Sequence, residues 1–350
     1  MTGHHEGDQV LSDTPLSGAL RLLGTAKGCV TAAQAAALAQ EFYRLAGEAT
    51  PLAGERDQNF LLRTQGGAYV VKLGNAEEDP AVLRFQNRAL RHVALADPAL
   101  AVPRVIATAT GSTEFTHGRH VGRLVSWLEG RPLPDTALGP AEVTAFGALT
   151  ARLDRALRGF FDPAAGHELL WDQRHAAQVL PLLACIPQED ERALVARTLH
   201  TYLSRVGPAL PALRAQVIHN DLNPHNVLVG DYGLGIIDFG DMVHAPLIQE
   251  VAVAASYLAG AEGDLFDAIA RFVAAYHAAT PLEEAEIALL PEMIAARHAL
   301  SCTVSAWRAQ RYPENAPYIL RNRAVAVQGM RRIAETGHDE LLARLRAACR

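Results

Sequence analysis

The spacing of apolar and polar residues over the first 130 positions predicts a small β-rich unit with helices at two places. Thr31 followed by Gln34 has the form of a capping box and predicts the start of an alanine-rich helix. Asp79 followed by Pro80 predicts the start of a second helix. The predicted elements are helices ending near Leu45 and Leu95, and strands at about 59–64, 68–74, 103–109 and 119–127.

The pattern changes after the connector "LEGRPLPD" (128–135), beyond which helical spacing dominates. One short β-like pair, near 226–230 and 234–237, interrupts the helical segments. The helices are predicted at about 140–159, 172–183, 188–206, 247–260, 264–279, 283–310 and 316–335. Residues 1–28 show no strong periodicity and are expected to be partly loose. The pattern therefore predicts a small antiparallel sheet lobe, a hinge and a larger helical lobe, with a ligand cleft between the lobes.

Composition narrows the class of protein without giving its function. A chain of 350 residues is long enough for about two domains or one bilobal unit. The net charge of −6 disfavours nucleic acid or an anionic membrane as the main partner. No signal peptide or uncharged membrane-length run is found, and the four cysteines are widely spaced. We therefore expect a cytoplasmic protein with reduced thiols.

Lysine is used at only two positions, Lys27 and Lys72, among 32 cationic residues. Lys72 ends the β-branched run "YVVK". An ammonium group is a compact point charge, whereas a guanidinium group is a planar fork, so the two are not equivalent at a binding site. The choice of lysine at the end of a predicted strand therefore marks Lys72 as a candidate functional residue.

The segment 215–270 contains eight acidic residues and no Lys or Arg. Four of them are interpreted as ordinary solvated carboxylates: Asp231, Glu262, Asp264 and Asp267. Asp238 differs because it directly follows the apolar run "GLGII", where an ionised group is costly unless something compensates it. A divalent cation would do so, and carboxylate oxygens suit Mg²⁺.

A polar cluster lies just upstream, in "VIHNDLNPHNVLV" (217–229). One interpretation is a hydrogen-bonded turn, and another is a zinc site built on His219 and His225. The two histidines lie six residues apart around Pro224 and lack helical ligand spacing, which disfavours zinc.

A third interpretation joins this cluster to the "DFG" sequence that begins at Asp238. Asp221, Asn226 five residues later, and Asp238 after a short hairpin reproduce the phosphoryl-transfer pattern of kinases. In that pattern Asn226 and Asp238 hold Mg²⁺ or Mn²⁺, and Asp221 orients the attacking hydroxyl and accepts its proton. Lys72 then binds the nucleotide phosphates from the other lobe.

The motifs "YVVKLGN", "LVSWLEGRPL", "LDRAL", "HNDLNPHN", "IDFGDM" and "RYPENAPY" resemble the aminoglycoside phosphotransferase–choline kinase family over roughly residues 40–335. The resemblance implies an α+β, bilobal, protein-kinase-like fold. Residues 1–130 would hold an N-terminal region and a β-rich nucleotide-binding lobe with one helix, and residues 131–350 a mostly helical catalytic and substrate lobe. It also implies ATP or GTP as co-substrate, bound by the loop residue Asn59 and by a hinge with Ser126, Trp127 and Leu128.

Two positions depart from the family pattern. Kinases pair the strand lysine with a helix glutamate, and the corresponding residue here is Gln86, whose amide is expected to accept a hydrogen bond from Lys72. Asn220 stands where the family usually has glycine. Asparagine tolerates left-handed backbone angles better than most residues, so the turn is expected to form.

The expected function is transfer of the γ-phosphate to a hydroxyl of a cationic amino compound, with 5-hydroxylysine preferred. Asp241 and Glu250 are expected to meet ammonium groups, and Arg308 and Arg311 to pair with a carboxylate. The alternatives are an aminoglycoside or other amino-alcohol phosphotransferase and a catalytically inactive nucleotide-binding module. A protein kinase is disfavoured, because few residues separate Asp241 from the next predicted helix.

Overall fold

The computed structural model describes residues 30–54, 57–135, 138–260 and 264–350. Within these residues, an amino-terminal antiparallel sheet packs beside a larger helical region. Two hydrophobic clusters follow this division: the smaller lies between the sheet and the first helix, and the larger fills the helical region and reaches the second helix. The segment 1–28, expected to be loose, lies outside the described residues.

The amino-terminal sheet has six antiparallel strands. Its order is β1-β2-β3-β6-β4, and β5 also pairs with β6. The strands are β1 (Gly47–Leu52), β2 (Gln58–Thr64), β3 (Gly67–Leu73), β4 (Val105–Ile106), β5 (Phe115–His117) and β6 (His120–Ser126). Four of them match the predicted segments, although β4 is shorter than expected. β1 and β5 were missed, because β1 carries Gly, Glu, Thr and Pro in a largely exposed edge position and β5 has only three residues.

Two helices accompany the sheet, and both begin at the predicted signals. In α1 (Ala32–Tyr43), Thr31 Oγ1 accepts from the Gln34 backbone N–H at 3.2 Å, and Gln34 Oε1 accepts from the Thr31 N–H at 2.8 Å. In α2 (Pro80–Ala96), Asp79 Oδ1 accepts from the Ala81 N–H at 2.8 Å. The capping interactions read from the sequence are therefore confirmed.

The helical region is built around one long buried helix, α7 (Glu284–Arg311). By length and composition α7 is the one described helix that could cross a membrane, but 83% of its most apolar window is buried inside the protein. It is therefore a core helix. The other helices are α3 (Pro140–Leu157), α4 (Glu189–Arg205), α5 (Leu247–Ser256), α6 (Leu265–Ala279), α8 (Ala316–Ile319), α9 (Arg323–Thr336) and α10 (His338–Ala348).

Three helical predictions need correction. The segment predicted at 172–183 forms 3₁₀ turns over Gln173–Cys185, and it contains Pro181, which cannot donate a backbone hydrogen bond. The segment predicted at 316–335 is two helices, α8 and α9, rather than one. The last helix, α10, was not predicted. The remaining helices begin and end within a few residues of the predicted positions.

Two small β-structures bring the acidic residues together below the sheet. The predicted hairpin is present as β9 (Val227–Gly230) and β10 (Gly233–Ile236), and β7 (Arg131–Pro132) adds to it. β8 (Ala215–Ile218) pairs with β11 (Val243–Pro246), with Ile218 opposite Val243. The polar cluster leaves the end of β8, and the "DFG" sequence connects β10 to β11. The pairing of β8 with β11 therefore places these two segments side by side.

Candidate active site

Asp221 lies at the end of β8 in a dense hydrogen-bond network. Its Oδ2 accepts from Asn223 Nδ2 at 3.0 Å and from Asn226 Nδ2 at 2.8 Å, and its Oδ1 accepts from Arg297 Nη2 at 3.2 Å. The side chain is 23% exposed and borders the cleft. Burial and the neighbouring Asp241 raise the pKa of Asp221 to about 7, while Arg297 and the bond from Asn223 oppose this rise. The carboxylate is thus held in one orientation.

Asn226 and Asp238 have donor atoms suited to a divalent cation. Asn226 Nδ2 donates to the Asp221 backbone oxygen at 2.9 Å and to Asp221 Oδ2. The amide oxygen of Asn226 is therefore the atom that can coordinate a cation. Asp238 is 54% exposed and lies 3.4 Å from Lys72 Nζ. Among the described residues no group of three His, Cys, Asp or Glu side chains has the geometry of a metal site. Two oxygen ligands completed by phosphate and water fit Mg²⁺ in a kinase.

Asn220 and Asp238 both have left-handed backbone conformations, with φ of 64° and 60°. Such angles are uncommon for non-glycine residues and cluster at functional sites. The Asn220 side chain is fully buried, and its Oδ1 accepts from Gln249 Nε2 at 2.8 Å. The turn expected at Asn220 therefore forms, and a buried side-chain hydrogen bond supports it.

His219 and His225 occupy different environments. His219 is fully buried; its Nε2 lies 3.1 Å from the Ile237 carbonyl oxygen, and its ring packs edge-on against Phe239. His225 is exposed and lines the cleft at its other side. The arrangement gives the two histidines separate roles in packing and in the cleft rim, rather than one shared metal.

The structure corrects the expectation for Glu250. Glu250 is fully buried on α5, and its carboxylate accepts from the backbone N–H groups of His219 and Asn220. Burial raises the pKa of Glu250 to about 7, whereas these backbone donors lower it. Glu250 therefore supports the loop that carries Asp221 and does not meet a substrate ammonium group. Sequence position alone gave its charge but not the direction its helix faces.

The expectation for Gln86 also needs correction. The hydrogen-bond partner of Lys72 is Asp238, not Gln86. Gln86 is buried on α2, where its Oε1 accepts from Arg123 Nη2 at 2.7 Å and its Nε2 donates to the Gly240 carbonyl at 3.2 Å. Gln86 therefore connects the sheet to the segment that follows Asp238 without contacting Lys72.

Three cavities follow one another along the cleft. A cavity open to solvent lies under the sheet, and its walls include Asn59, Lys72 and Asp238. The same three residues border a smaller middle cavity, together with Asp221 and Asp241. Asp221 and Asp241 then border a third cavity. The cleft therefore offers two binding chambers that meet at the carboxylates.

The chamber under the sheet contains the residues expected at the hinge. Ser126, Trp127 and Leu128 lie along its wall, where β6 ends and the chain leaves the sheet. Trp127 donates its backbone N–H to the Ala68 carbonyl at 3.0 Å, which fixes this segment against β3. Asn59 also borders the chamber, and its buried Oδ1 has no hydrogen-bond partner among the described residues. A mostly apolar chamber ending in polar groups suits a flat base with a phosphate chain.

The third cavity is bounded by one face of α7. Arg297, Ser301, Ser305 and Arg308 recur at helical spacing along this face and all line the cavity. Arg308, predicted to bind a carboxylate, therefore borders this cavity. Arg311 does not line the cavity: it is exposed and lies over the Trp307 ring at 5.9 Å.

Sequence reasoning missed three arginines of this cavity: Arg297, Arg321 and Arg323. Arg297 is only 2% exposed; besides its bond to Asp221, it lies over the Trp171 ring at 5.3 Å. The available signal was its spacing from Arg308, since eleven residues are three helical turns. Arg321 lies 3.9 Å from the Tyr318 ring centroid, and Arg323 pairs with Glu191 at 2.6 Å.

The profile of the family described as "Phosphotransferase enzyme family" matches residues 48–290. This range includes Lys72, Asp221, Asn226 and Asp238. The chain belongs to this family. Hydroxylysine kinase of Mus musculus is 26% identical over 330 residues, covering 85% of this chain and 87% of that protein. Homoserine kinase of Methylobacterium nodulans is 31% identical over 251 residues, covering 68% of this chain and 73% of that protein.

The solved structure of an amicoumacin kinase in complex with AMP-PNP and Ca²⁺ superimposes with a TM-score of 0.63 at 13% identity. It covers 93% of this chain and 96% of that one. This likeness concerns the fold and confirms the α+β, bilobal, kinase-like architecture expected from the sequence. Together with the family match, the curated relatives show a phosphotransferase that acts on a hydroxyl group, and hence a small-molecule kinase.

Proposed function

We propose that this kinase transfers the γ-phosphate of ATP to the hydroxyl group of 5-hydroxylysine. The observation that carries the proposal is the third cavity, which brings arginines of α7 and the carboxylates of Asp221 and Asp241 to one small space. An amino acid with a hydroxylated, ammonium-bearing side chain has one anionic and two cationic groups. This cavity has arginines that can pair with the anionic group and carboxylates that can pair with the cationic groups.

The geometry supports a distinct task for each residue at the junction of the cavities. Asp221, fixed by Asn223, Asn226 and Arg297, orients the acceptor hydroxyl and takes its proton. Lys72 reaches the phosphate chain from β3. Asn226 and Asp238 would hold Mg²⁺ or Mn²⁺, and the ion would supply positive charge to the phosphate oxygens. The three residues around Asp221 keep its carboxylate in place before the substrate arrives, which lowers the cost of reaching the reactive geometry.

The choice of substrate rests on charge. Arg308 is 8% exposed and lines the cavity, so a carboxylate bound there would be largely removed from water, where pairing with a guanidinium is strong. Asp241 lines the same cavity and suits an ammonium group. The relatives named hydroxylysine kinase and homoserine kinase are named for amino acids that carry a hydroxyl and a carboxylate. An aminoglycoside has no carboxylate and so cannot make this contact with Arg308.

ATP is proposed as the co-substrate and GTP is the alternative to be tested. The supporting observation is the fold likeness to a kinase solved with AMP-PNP, an ATP analogue. The predicted cytoplasmic location remains a prediction.

A substrate panel with the purified protein tests the proposal. Hydroxylysine, homoserine, a carboxylate-free amino alcohol of similar length and kanamycin would each be offered with ATP and with GTP. Phosphorylation would be followed by nucleoside diphosphate release and mass spectrometry of the acceptor. We expect the highest kcat/KM for hydroxylysine with ATP. Preference for the amino alcohol or kanamycin would contradict the substrate proposal and leave the kinase assignment standing, while no turnover of any acceptor would favour an inactive nucleotide-binding module.

A further inference from the structure

Lys72 is not the only cation on the cleft side of the sheet. In the pairing of β3 with β6, Lys72 lies directly opposite Arg123. Side chains directly opposite each other on neighbouring strands share one face and have Cβ atoms about 5 Å apart. Both residues line the chamber under the sheet. Two positive charges therefore stand side by side at its wall.

This arrangement is unfavourable for the folded protein alone. Like charges directly opposite in a sheet destabilise it, and Arg123 is only 2% exposed, so water does not screen its charge well. Burial accordingly lowers the pKa of Arg123, with Asp57, Glu78 and Asp238 opposing this. A buried arginine normally has a carboxylate partner. Among the described residues, none is within ion-pair distance of Arg123.

The partners of Arg123 are neutral amides. Its Nη1 donates to Asn87 Oδ1 at 2.9 Å and its Nη2 donates to Gln86 Oε1 at 2.7 Å. Its Nε is buried and has no hydrogen-bond partner within the part of the chain that the structure describes. The two amides accept from Nη1 and Nη2 and fix the guanidinium without cancelling its charge. A glutamate at position 86 would instead form an ion pair with Arg123 and neutralise it.

We propose that Arg123 is a second cationic determinant of nucleotide binding, acting beside Lys72 on the phosphate chain, and that Gln86 is a positioning residue that leaves this charge available. Asp57, Glu78 and Asp238 act on Arg123 only from a distance, so the polyphosphate of the bound nucleotide would be its direct counter-charge. The neutral Gln86 and the cationic Arg123 therefore act together, because the amide of Gln86 holds the guanidinium without neutralising it. The inference rests on the proposed nucleotide site and adds a residue to it.

The test compares ADP with adenosine, because the two share a base and ribose and differ in the phosphate chain. Binding to the full-length protein would be measured by calorimetry with Mg²⁺ present for the wild type, Arg123→Met and Gln86→Glu. We expect both variants to bind ADP more weakly, roughly 10–100-fold for Arg123→Met, with adenosine affinity little changed. Arg63→Met is the matched control: Arg63 is an exposed arginine of the same sheet, and its loss should change neither affinity.

Thermal unfolding without nucleotide separates this role from a purely structural one. If Arg123 serves the phosphates, Gln86→Glu should raise Tm while it weakens ADP binding, because the new ion pair stabilises the free protein and neutralises the charge. If Arg123 only holds α2 in place, Gln86→Glu should leave ADP binding intact, and Arg123→Met should weaken ADP and adenosine equally. That result would overturn the inference.

Two further comparisons keep the outcome unambiguous. Arg123→Lys retains the charge, so it should keep most of the preference for ADP over adenosine even if Arg123→Met fails to fold. Loss of that preference in a folded Arg123→Lys protein would contradict the inference. If the wild type itself binds adenosine as tightly as ADP, the proposed nucleotide site is wrong. If the wild type prefers ADP and Arg123→Met keeps the same preference, only the role of Arg123 is refuted.

Discussion

The two chambers that meet at Asp221 differ in the chemistry of their walls. The chamber under the sheet is largely apolar, with Val70, Val125, Leu128, Leu228 and Phe239 among its lining residues. The third cavity has four arginines and two aspartates in its walls. A ligand in the chamber under the sheet is therefore recognised mainly by its shape and by burial of its apolar surface. A ligand in the third cavity is recognised mainly by its charges. Substitutions on either side should affect different kinetic constants.

Removing the divalent cation should have the largest effect, because Asp238 borders the cavity where the chambers join and Asn226 is hydrogen-bonded to Asp221 beside it. Chelation is expected to abolish turnover, and Mg²⁺ or Mn²⁺ should restore it. Asp238→Ala should make nucleotide binding insensitive to the metal. Equal nucleotide affinity of the wild type with and without chelator would contradict the assignment of these two ligands.

Asp221→Asn should lower kcat by ~10²–10⁴-fold, since the amide cannot accept the hydroxyl proton. Nucleotide affinity should stay close to that of the wild type, because Asp221 does not line the chamber under the sheet. Steady-state kinetics and calorimetry measure the two effects separately. A variant that kept more than half of the wild-type rate would show that Asp221 is not the base.

Lys72→Arg should lower kcat/KM by roughly 100-fold, as expected when a charged contact to phosphate is misplaced. The guanidinium fork is larger than the ammonium group, and it would stand directly opposite Arg123. Lys27→Arg makes the same substitution at the other lysine of the chain and should be silent. Comparable activities of the two variants would mean that the scarcity of lysine carries no functional information.

Arg308→Met should raise the KM for hydroxylysine by about 10-fold through loss of a carboxylate contact, with the KM for ATP unchanged. Arg311→Met is its control, because Arg311 lies on the same helix but outside the cavity. Initial-rate kinetics with each substrate varied would show the difference. An equal effect of both substitutions would remove Arg308 from the proposed carboxylate site.

The smallest effect on activity is expected from Glu250→Gln. The amide lacks the negative charge of the carboxylate and its second oxygen, which also accepts from the Asn220 N–H, and losing part of this network should cost about 1–3 kcal/mol. The Tm should fall by ~2–10 °C while the KM for hydroxylysine changes little. Asp241→Asn should show the reverse, a raised KM with a nearly unchanged Tm, and calorimetry with kinetics on both proteins would check the contrast.

The parts of this molecule that were predictable from sequence are local ones. The cap residues Thr31 and Asp79 act within a few residues of themselves, and Asp221 and Asn226 are five residues apart on one loop. Such interactions can be predicted from sequence, because the short chain between the partners keeps them close in space. The same is true of the hairpin that precedes Asp238.

The parts that escaped prediction depend on distant pairing. Arg297 reaches Asp221 across 76 residues of sequence, and an arginine in a long helix shows no local sign of its partner. The error at Glu250 has the same origin, since the acidic composition of its segment does not reveal that α5 points this side chain into the protein. Likewise, the sequence around Gln86 does not show that β6 places Arg123 within hydrogen-bond distance of it.

The junction of the chambers at Asp221 and Asp241 has a consequence for inhibitor design. A compound that links adenosine to hydroxylysine through a phosphate chain could occupy both chambers at once. Binding of one half would raise the effective concentration of the other, and such linkage can strengthen affinity by ~10²–10⁴-fold over either half alone. The length of the linker that binds best would then report the separation of the two sites in solution.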